Sequence, residues 1–233
     1  MKIVETQDGS HTVYASAFDE HYHSTNGAAQ ESRHIFINAG LKMCEKTEIR
    51  VFEVGFGTGL NAFLALLEAE QSGKKVFYST IELYPLAAED IEKLNYPQLT
   101  DCHCGQVQNC HCGLDPQSPE NYFQKIHAAG WGSRVEITPH FSIEKIKADF
   151  TEFDLEENVD VIFFDAFSPE KQPEMWSEKI FAKLYEHCNE GAILTTYCAK
   201  GSVRRAMQTA GFAVERLPGP PGKREILRGI KRI

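Results

Sequence analysis

From residue 49 onward, short apolar runs alternate along the chain with segments whose apolar residues recur at helical spacing. The runs predict strands over residues 49–54, 76–81, 141–146, 159–164, 192–197, 212–217 and 225–230. Helices are predicted over residues 60–69, 85–94, 173–188 and 203–210. Strands that alternate with helices predict an α/β fold with a doubly wound, mostly parallel sheet, here of seven strands.

The segment before this alternation has a different pattern. Short alternating runs at 12–14 and 34–37 predict that residues 1–48 form a small β-rich extension to a main domain over 49–233. No apolar run approaches the roughly 20 residues that a membrane span needs, and the first residues lack the apolar segment of a secretory signal. We therefore expect a cytoplasmic protein that binds no membrane and keeps its seven cysteines reduced.

Residues 101–119 interrupt the strand and helix pattern. The sequence Cys-His-Cys-Gly occurs there twice, eight residues apart. The two cysteines of each pair are separated by a single residue, which is shorter than the spacer that lets both sulfurs reach one tetrahedral zinc ion. The pattern favours a flexible insertion without a metal site. A noncatalytic, zinc-dependent RNA-binding protein built around this segment is the alternative.

Charge is distributed unevenly along the chain. The net charge is −9, yet residues 200–233 contain nine basic residues and only two acidic ones. A basic end on an acidic body predicts contact with a polyanion such as a nucleic-acid backbone. Ordinary solvated side chains on a terminal hairpin would give the same composition, so charge alone leaves both interpretations open.

The first predicted strand runs into a turn with three alternate glycines. Such glycines let backbone amides approach a ligand, and the helix that follows adds the positive end of its dipole. A dinucleotide fingerprint would need glycine where Leu60 stands, so the spacing fits S-adenosylmethionine instead. Carboxylates at the next two strand ends would serve the ribose and the adenine of this cofactor. The candidate cofactor-binding residues are Glu53, Gly55, Phe56, Gly57, Gly59, Leu60, Asn61, Glu82 and Asp149.

The predicted strand over 159–164 ends at Asp165, at the edge of the sheet where a doubly wound fold binds its reactants. A carboxylate there can hold an attacking amine and accept its proton, which makes Asp165 the candidate catalytic residue. Phe167 can stack on a nucleobase. The alternative is that Asp165 only caps the turn that follows the strand.

Several of these motifs occur together in one known family. The sequence from Glu53 to Asn61, the run Asp165-Ala-Phe-Ser-Pro, the pair Arg204-Arg205 and the run Gly-Lys-Arg-Glu ending at Glu225 resemble the tRNA 5-methylaminomethyl-2-thiouridine methyltransferases. The resemblance extends over nearly the whole chain. It implies a Rossmann-like, class I methyltransferase that uses S-adenosylmethionine to methylate the 5-aminomethyl group of the wobble uridine, or 2-thiouridine, of tRNA. Asp165 falls at the catalytic aspartate of that family.

The resemblance and the charge pattern also suggest which residues bind the substrate. They are Tyr22, Glu31, Phe167, Lys200, Lys223 and Arg224. The expected partners are tRNA and the enzymes that install the aminomethyl group. Some members of the family carry a fused flavin-dependent oxidoreductase, and because this chain ends after the last predicted strand we expect the single-activity form. An aminopropyl transferase resembling spermidine synthases is the enzymatic alternative, although its polycationic substrate would be repelled by the basic C-terminal stretch.

Overall fold

The computed structural model of the protein describes residues 2–99, 118–156 and 158–232. A small antiparallel sheet opens the chain, with strands β1 (Lys2–Glu5), β2 (His11–Ala15) and β3 (Glu20–His21). The following stretch was predicted to contain a strand over 34–37, and that prediction is wrong. Helix α1 (Ala28–Ser32) continues there as a π-helical stretch, Arg33–Asn38. Consecutive apolar residues of this stretch are buried, which an alternating strand would not require.

The main sheet contains eight strands within the described residues, so the predicted number of seven is wrong. They are β4 (Glu48–Val54), β5 (Lys75–Glu82), β6 (Arg134–Thr138), β7 (Phe141–Lys147), β8 (Val159–Phe164), β9 (Cys188–Thr196), β10 (Ala213–Pro218) and β11 (Glu225–Ile230). Their spatial order is β10-β11-β9-β8-β4-β5-β7-β6. The five strands from β9 to β7 pair in parallel, which confirms the predicted mostly parallel α/β sheet.

The additional strand is β6, which pairs antiparallel with β7 and lies at the edge of the sheet. Its first and third residues, Arg134 and Glu136, are exposed and polar, because an edge strand needs only one apolar face. The short run therefore lacks the continuous apolar signal of the central strands. Strand β8, by contrast, is buried at all six positions and has the predicted bounds.

The helices differ from the predictions mainly at their ends. They are α2 (Leu60–Ser72), α3 (Ala88–Ile91), α4 (Pro119–Ala128), α5 (Glu178–Glu186) and α6 (Gly201–Ala210), with 3₁₀ turns at Leu41–Met43, Tyr96–Leu99 and Pro173–Trp176. The helix predicted over 85–94 is reduced to α3. The helix predicted over 173–188 is interrupted at Ser177, whose hydroxyl accepts a hydrogen bond from the Ile180 amide and caps α5.

The predicted insertion over 101–119 lies outside the described residues except at its last two positions. Ser118 caps α4 by accepting a hydrogen bond from the Asn121 amide, and Pro119 is the first residue of that helix. These two residues therefore belong to a helix that the sequence analysis missed. Among the described residues, no helix is both long and apolar enough to cross a membrane.

Two apolar cores lie on opposite faces of the main sheet, and neighbouring residues of β8 contribute to different cores. Phe163 packs with Phe63 of α2 and Ile126 of α4, whereas Phe164 packs with Phe181 of α5. This alternation follows from the two-residue period of a strand. Helices on both faces bury β8 at every position and β4 at most positions, as expected for a doubly wound fold.

The strand register brings several chain segments to one edge of the sheet. Val54 pairs with Phe164, and the end of β5 pairs with the end of β7. From β4 the chain continues to β5 on one side, and it later returns as β8 on the other side. A crevice for ligands is expected where such a reversal occurs, at the carboxyl ends of these strands.

Candidate active site

The glycine turn after β4 is packed too tightly for larger residues. A Cβ atom at Gly55 would lie 2.6 Å from the carbonyl oxygen of Asp165, and one at Gly57 would lie 2.8 Å from the ring of Tyr22. Both glycines have positive φ, of 94° and 50°, which L-residues with side chains rarely adopt. The amide of Gly55 donates to the carbonyl of Ile81, which fixes the turn to the neighbouring strand.

Glu82 is held at the end of β5 by two backbone amides. Oε2 accepts a hydrogen bond from the Gly57 amide at 3.0 Å, and Oε1 accepts one from the Tyr84 amide at 2.9 Å. Each carboxylate oxygen can accept a second hydrogen bond. The side chain also lines a cavity, so its remaining lone pairs can bind a pair of hydroxyl groups.

Asp149 lies two residues beyond β7 and lines the same cavity as Glu82. Its Oδ1 accepts hydrogen bonds from the amide and the hydroxyl of Thr151, at 2.8 and 2.7 Å. This Asx turn leaves Oδ2 without a hydrogen bond from any part of the chain that the structure describes. A carboxylate oxygen in that position can accept from an exocyclic amine.

Asp165 follows β8 and faces the same cavity. Its amide donates to the carbonyl of Val54 at 2.9 Å, and its Oδ2 accepts from the Asn61 side-chain amide at 2.8 Å. Burial raises the pKa of Asp165 to about 7; the hydrogen bond from Asn61 opposes that rise, while the charge of Glu31 adds to it. A carboxyl group with this pKa can take up or release a proton near neutral pH.

The N-terminal segment and the β8 loop close the cavity with aromatic rings. Phe18 stacks on Phe167 with 4.3 Å between ring centroids, and Tyr22 meets Phe167 edge to face at 5.0 Å. His23 binds the hydroxyl of Thr58 through Nε2 at 2.8 Å, and burial lowers its pKa to about 4, so it is neutral. The cavity has a volume of about 490 Å³.

An ion pair stands in the cavity near Asp165. Nζ of Lys223 lies 2.5 Å from Oε1 of Glu31 and 4.2 Å from the centre of the Tyr197 ring. Oε2 of Glu31 accepts a hydrogen bond from the Ser24 amide at 2.9 Å. The cavity therefore stabilises a primary ammonium group between a carboxylate and an aromatic face.

The structure brings most of the sequence-predicted site residues together. The cavity is lined by Tyr22, Glu31, Gly55, Phe56, Gly57, Glu82, Asp149, Asp165, Phe167 and Lys223. Four predicted cofactor residues do not line it, namely Glu53, Gly59, Leu60 and Asn61. Gly59 is the N-cap of α2, and Leu60 is the first residue of that helix.

Two predicted substrate residues lie outside the cavity. Lys200 pairs with Glu170 on the surface, and Arg224 is exposed. Other cations of the basic C-terminal stretch are also paired, as Arg228 is with Glu215. Four of its nine cations therefore pair with carboxylates.

Sequence reasoning missed several residues of the cavity wall, among them Glu20, His23 and Tyr197. Glu20 accepts hydrogen bonds from the amide and the hydroxyl of Ser168, and so fixes the loop after Asp165. The hydroxyl of Tyr197 donates to the carbonyl of Ala166 at 2.9 Å. Tyr197 directly follows β9, so its position at a strand end was a usable signal, whereas Glu20 carried none.

The residues present fit S-adenosylmethionine. The turn at Gly55 and Gly57 places backbone close to the cavity, Glu82 offers two oxygens for a diol, and Asp149 offers one for an amine. The volume lies within the range of small-molecule sites. Fold and site together define an S-adenosylmethionine-dependent methyltransferase.

Comparison with known proteins gives the family. A family model described as S-adenosyl-L-methionine-dependent methyltransferase matches residues 117–232, and the chain belongs to this family. The tRNA 5-methylaminomethyl-2-thiouridine biosynthesis bifunctional protein MnmC of Azoarcus sp. (strain BH72) is 33% identical over 96% of the chain. The corresponding protein of Magnetococcus marinus is 31% identical over 94%. The chain spans only about a third of these relatives, 34% and 32% of their lengths.

Solved structures agree with this assignment. The crystal structure of MnmC2 from Aquifex aeolicus matches with a TM-score of 0.74 and 26% identity, and the match covers 98% of this chain and 69% of that one. Spermidine synthase from Thermotoga maritima matches with a TM-score of 0.57 and 12% identity, covering 100% of this chain and 72% of that one, which shows a shared fold alone. The resemblance found in the sequence is thus confirmed.

Proposed function

We propose that the protein methylates the amine of a 5-aminomethyl group on the wobble uridine, or 2-thiouridine, of tRNA. The observation that carries this proposal is Asp165, a buried carboxyl group with a pKa near neutrality, in the same cavity as the glycine turn and Glu82. The names of the relatives support tRNA as the substrate. S-Adenosylmethionine, when bound, supplies a methyl group on a positively charged sulfur.

The cofactor would be held by the strand ends. The Glu82 carboxylate would accept from the two ribose hydroxyls while it keeps its bonds to the amides of Gly57 and Tyr84. Oδ2 of Asp149 would accept from the adenine amino group. The narrow turn at Gly55 and Gly57 would let backbone amides lie against the cofactor.

Asp165 would act on the attacking amine. An amine attacks only when neutral, so the site must take a proton from it before or during the reaction. Oδ2 of Asp165 is already engaged by Asn61, and none of the described residues donates to Oδ1. Oδ1 would therefore orient the nitrogen and accept its proton.

The charge of the cavity suits an amine substrate. Glu31 and Asp165 both face it, and the ammonium group of Lys223 is stabilised there by Glu31 and the ring of Tyr197. An aminomethyl group is also a primary amine, so it would be attracted by the same groups. Tyr22 and Phe167 would provide an apolar surface for the uracil ring.

The surroundings of the cavity would serve the rest of the tRNA. Lys200 and Arg224 would contact backbone phosphates, for which Lys200 must leave Glu170.

We propose that residues 1–48 are an extension that packs onto the methyltransferase domain, residues 49–233, and contributes Tyr22 and Glu31 to the cavity. A cytoplasmic location and cooperation with the enzymes that install the aminomethyl group would follow from this function.

The decisive experiment is methyl transfer to tRNA that carries 5-aminomethyluridine at the wobble position. Purified protein and S-adenosylmethionine should produce 5-methylaminomethyluridine, detected by mass spectrometry of the nucleosides. Asp165→Asn, which cannot accept the proton, should lower turnover by about 100- to 10,000-fold. The exposed Asp154→Asn is the matched control. Formation of no methylated nucleoside would refute the proposal, and consumption of putrescine with decarboxylated cofactor would favour the aminopropyl transferase instead.

A further inference from the structure

Asp165 is backed by a small polar cluster inside the sheet that the proposed chemistry has not used. Asn61 in the first turn of α2 donates to Asp165, and it is only 2% exposed. Beneath it lies Glu53 of β4, which is completely buried and accepts a hydrogen bond from the hydroxyl of Thr80 at 2.7 Å. The hydroxyl of Tyr78 also faces Glu53.

Three polar atoms of this cluster have no hydrogen bond of acceptable geometry with any residue that the structure describes. They are Oε1 of Glu53, Oδ1 of Asn61 and the hydroxyl of Tyr78. Buried polar atoms without partners are costly and rare, and a charged carboxylate would be more costly than a neutral acid. A protonated Glu53 lowers this cost, since it is uncharged and carries a donor for one of the unpaired oxygens.

The electrostatics agree with a neutral Glu53. Burial raises its pKa to about 8; the polar side chains of Thr80, Asn61 and Tyr78 oppose this rise, and the negative charge of Asp165 adds to it. Burial therefore favours the uncharged form of Glu53, and it also raises the pKa of Asp165.

We infer that Asn61, backed by a neutral Glu53, is a positioning residue that fixes the carboxyl of Asp165 so that Oδ1 faces the reacting amine. The inference rests on the proposed function for the identity of that amine. It assigns Glu53 and Asn61 to the support of Asp165 and not to the binding of S-adenosylmethionine, in keeping with their place behind the cavity wall. An amide suits this position, since its NH₂ group offers two donors to two carboxyl groups.

The test follows the titration of individual carboxyl groups by ¹³C NMR in protein with labelled Asp and Glu, so it requires no tRNA. In the wild-type protein, Glu53 should titrate well above an ordinary glutamate. In Asn61→Ala, Asp165 should titrate at higher pH, because the lost hydrogen bond stabilises its ionised form. Other nearby groups also interact with Glu53 or Asp165 and must stay unchanged in the variants, namely Glu31, Lys223, Tyr78 and Tyr197.

Asn189→Ala is the matched control. Asn189 donates to Asp160 at 2.7 Å, so this variant also loses a hydrogen bond from Asn to Asp on the same sheet, away from the cavity. It should leave the titration of Asp165 unchanged. In methyl transfer, Asn61→Ala should lower kcat by about 10- to 100-fold, while Kd for S-adenosylmethionine changes less than twofold. The acid limb of its pH–rate profile should move to higher pH.

Three results would overturn the inference. The first is a Glu53 that titrates near 4.5, the ordinary value for glutamate. The second is an Asp165 titration that is the same in Asn61→Ala and the wild type. The third is a loss of cofactor affinity in Asn61→Ala that equals its loss of kcat. If Asn61→Ala does not fold, Asn61→Ser is measured in its place, and the wild-type titration of Glu53 decides if neither variant folds. Failure of the proposed function would appear separately, as absence of methyl transfer by a wild-type protein with these titrations.

Discussion

Glu82→Gln is the sharpest test of how the protein holds its cofactor. The wild-type carboxylate accepts from two amides at once, Gly57 at 3.0 Å and Tyr84 at 2.9 Å. Glutamine has nearly the same shape but only one acceptor oxygen, because its other terminal atom is an NH₂ group. Whichever way the new amide turns, a donor faces a donor at one of the two sites, and the negative charge offered to the ribose is lost.

The magnitude follows from these contacts. A hydrogen bond to a charged group contributes about 1.5–3 kcal/mol, so Kd for S-adenosylmethionine should rise by about 10- to 150-fold. Folding should be affected less, because Glu82 lies at the cavity edge and is only half-buried. Glu89→Gln, an exposed change in α3, is the matched control and should leave Kd unchanged.

The assay is calorimetric titration with S-adenosylhomocysteine and with its 2′-deoxy analogue. If Glu82 binds the ribose hydroxyls, removal of a hydroxyl should weaken binding to the wild-type protein much more than binding to Glu82→Gln. The difference between the two losses is the coupling free energy of this contact. Equal losses in both proteins would show that Glu82 does not contact the ribose, whatever happens to the overall affinity.

Three further predictions concern the glycine turn, the ion pair and the buried acids. Gly57→Ala should abolish cofactor binding, because its Cβ would meet the Tyr22 ring at 2.8 Å. Gly73→Ala has open space around its Cβ, so thermal unfolding should show a loss of only about 1–2 kcal/mol in stability, from the left-handed backbone conformation. Lys223→Met should move the acid limb of the pH–rate profile to higher pH, because the charge of Lys223 lowers the pKa of Asp165. An unmoved limb would show that Lys223 does not affect the titration of Asp165. Denaturant titrations should show that the free energy of unfolding falls as pH rises from about 4.5 to about 8, because the pKa of Glu53 is higher in the folded than in the unfolded protein. The variant Glu53→Gln should reduce this fall.

The central part of the fold could be predicted because its signals are local. Strand β8 is apolar except at Asp160, and the strands that lead into the glycine turn and end at Glu82 are legible in a similar way. Once these strands are placed in a parallel sheet, their carboxyl ends must meet at one edge. The positions of Glu82, Asp149 and Asp165 around one cavity followed from that topology.

The closure of the cavity could not be predicted in this way. Tyr22 and His23 reach the glycine turn only because the N-terminal segment packs across it, and that packing depends on residues far apart in sequence, such as Glu20 and Ser168. The π-helical stretch Arg33–Asn38 was mistaken for a strand over 34–37 because its three buried apolar residues are consecutive. Local patterns carry no information about such long-range contacts.

Two aspartates near opposite ends of β8 differ in their electrostatic surroundings. Asp160, five positions earlier, is also buried, and burial raises its pKa. Its hydrogen bonds from the Arg50 amide, Lys46 and Asn189, together with the charge of Lys46, outweigh this effect and hold the pKa below its ordinary value. Asp165 receives a side-chain hydrogen bond from Asn61 alone among the described residues, and its pKa stays near 7. An aspartate is thus held as an anion near the start of β8, whereas deeper burial and fewer donors leave the aspartate after its end able to take up a proton near neutral pH.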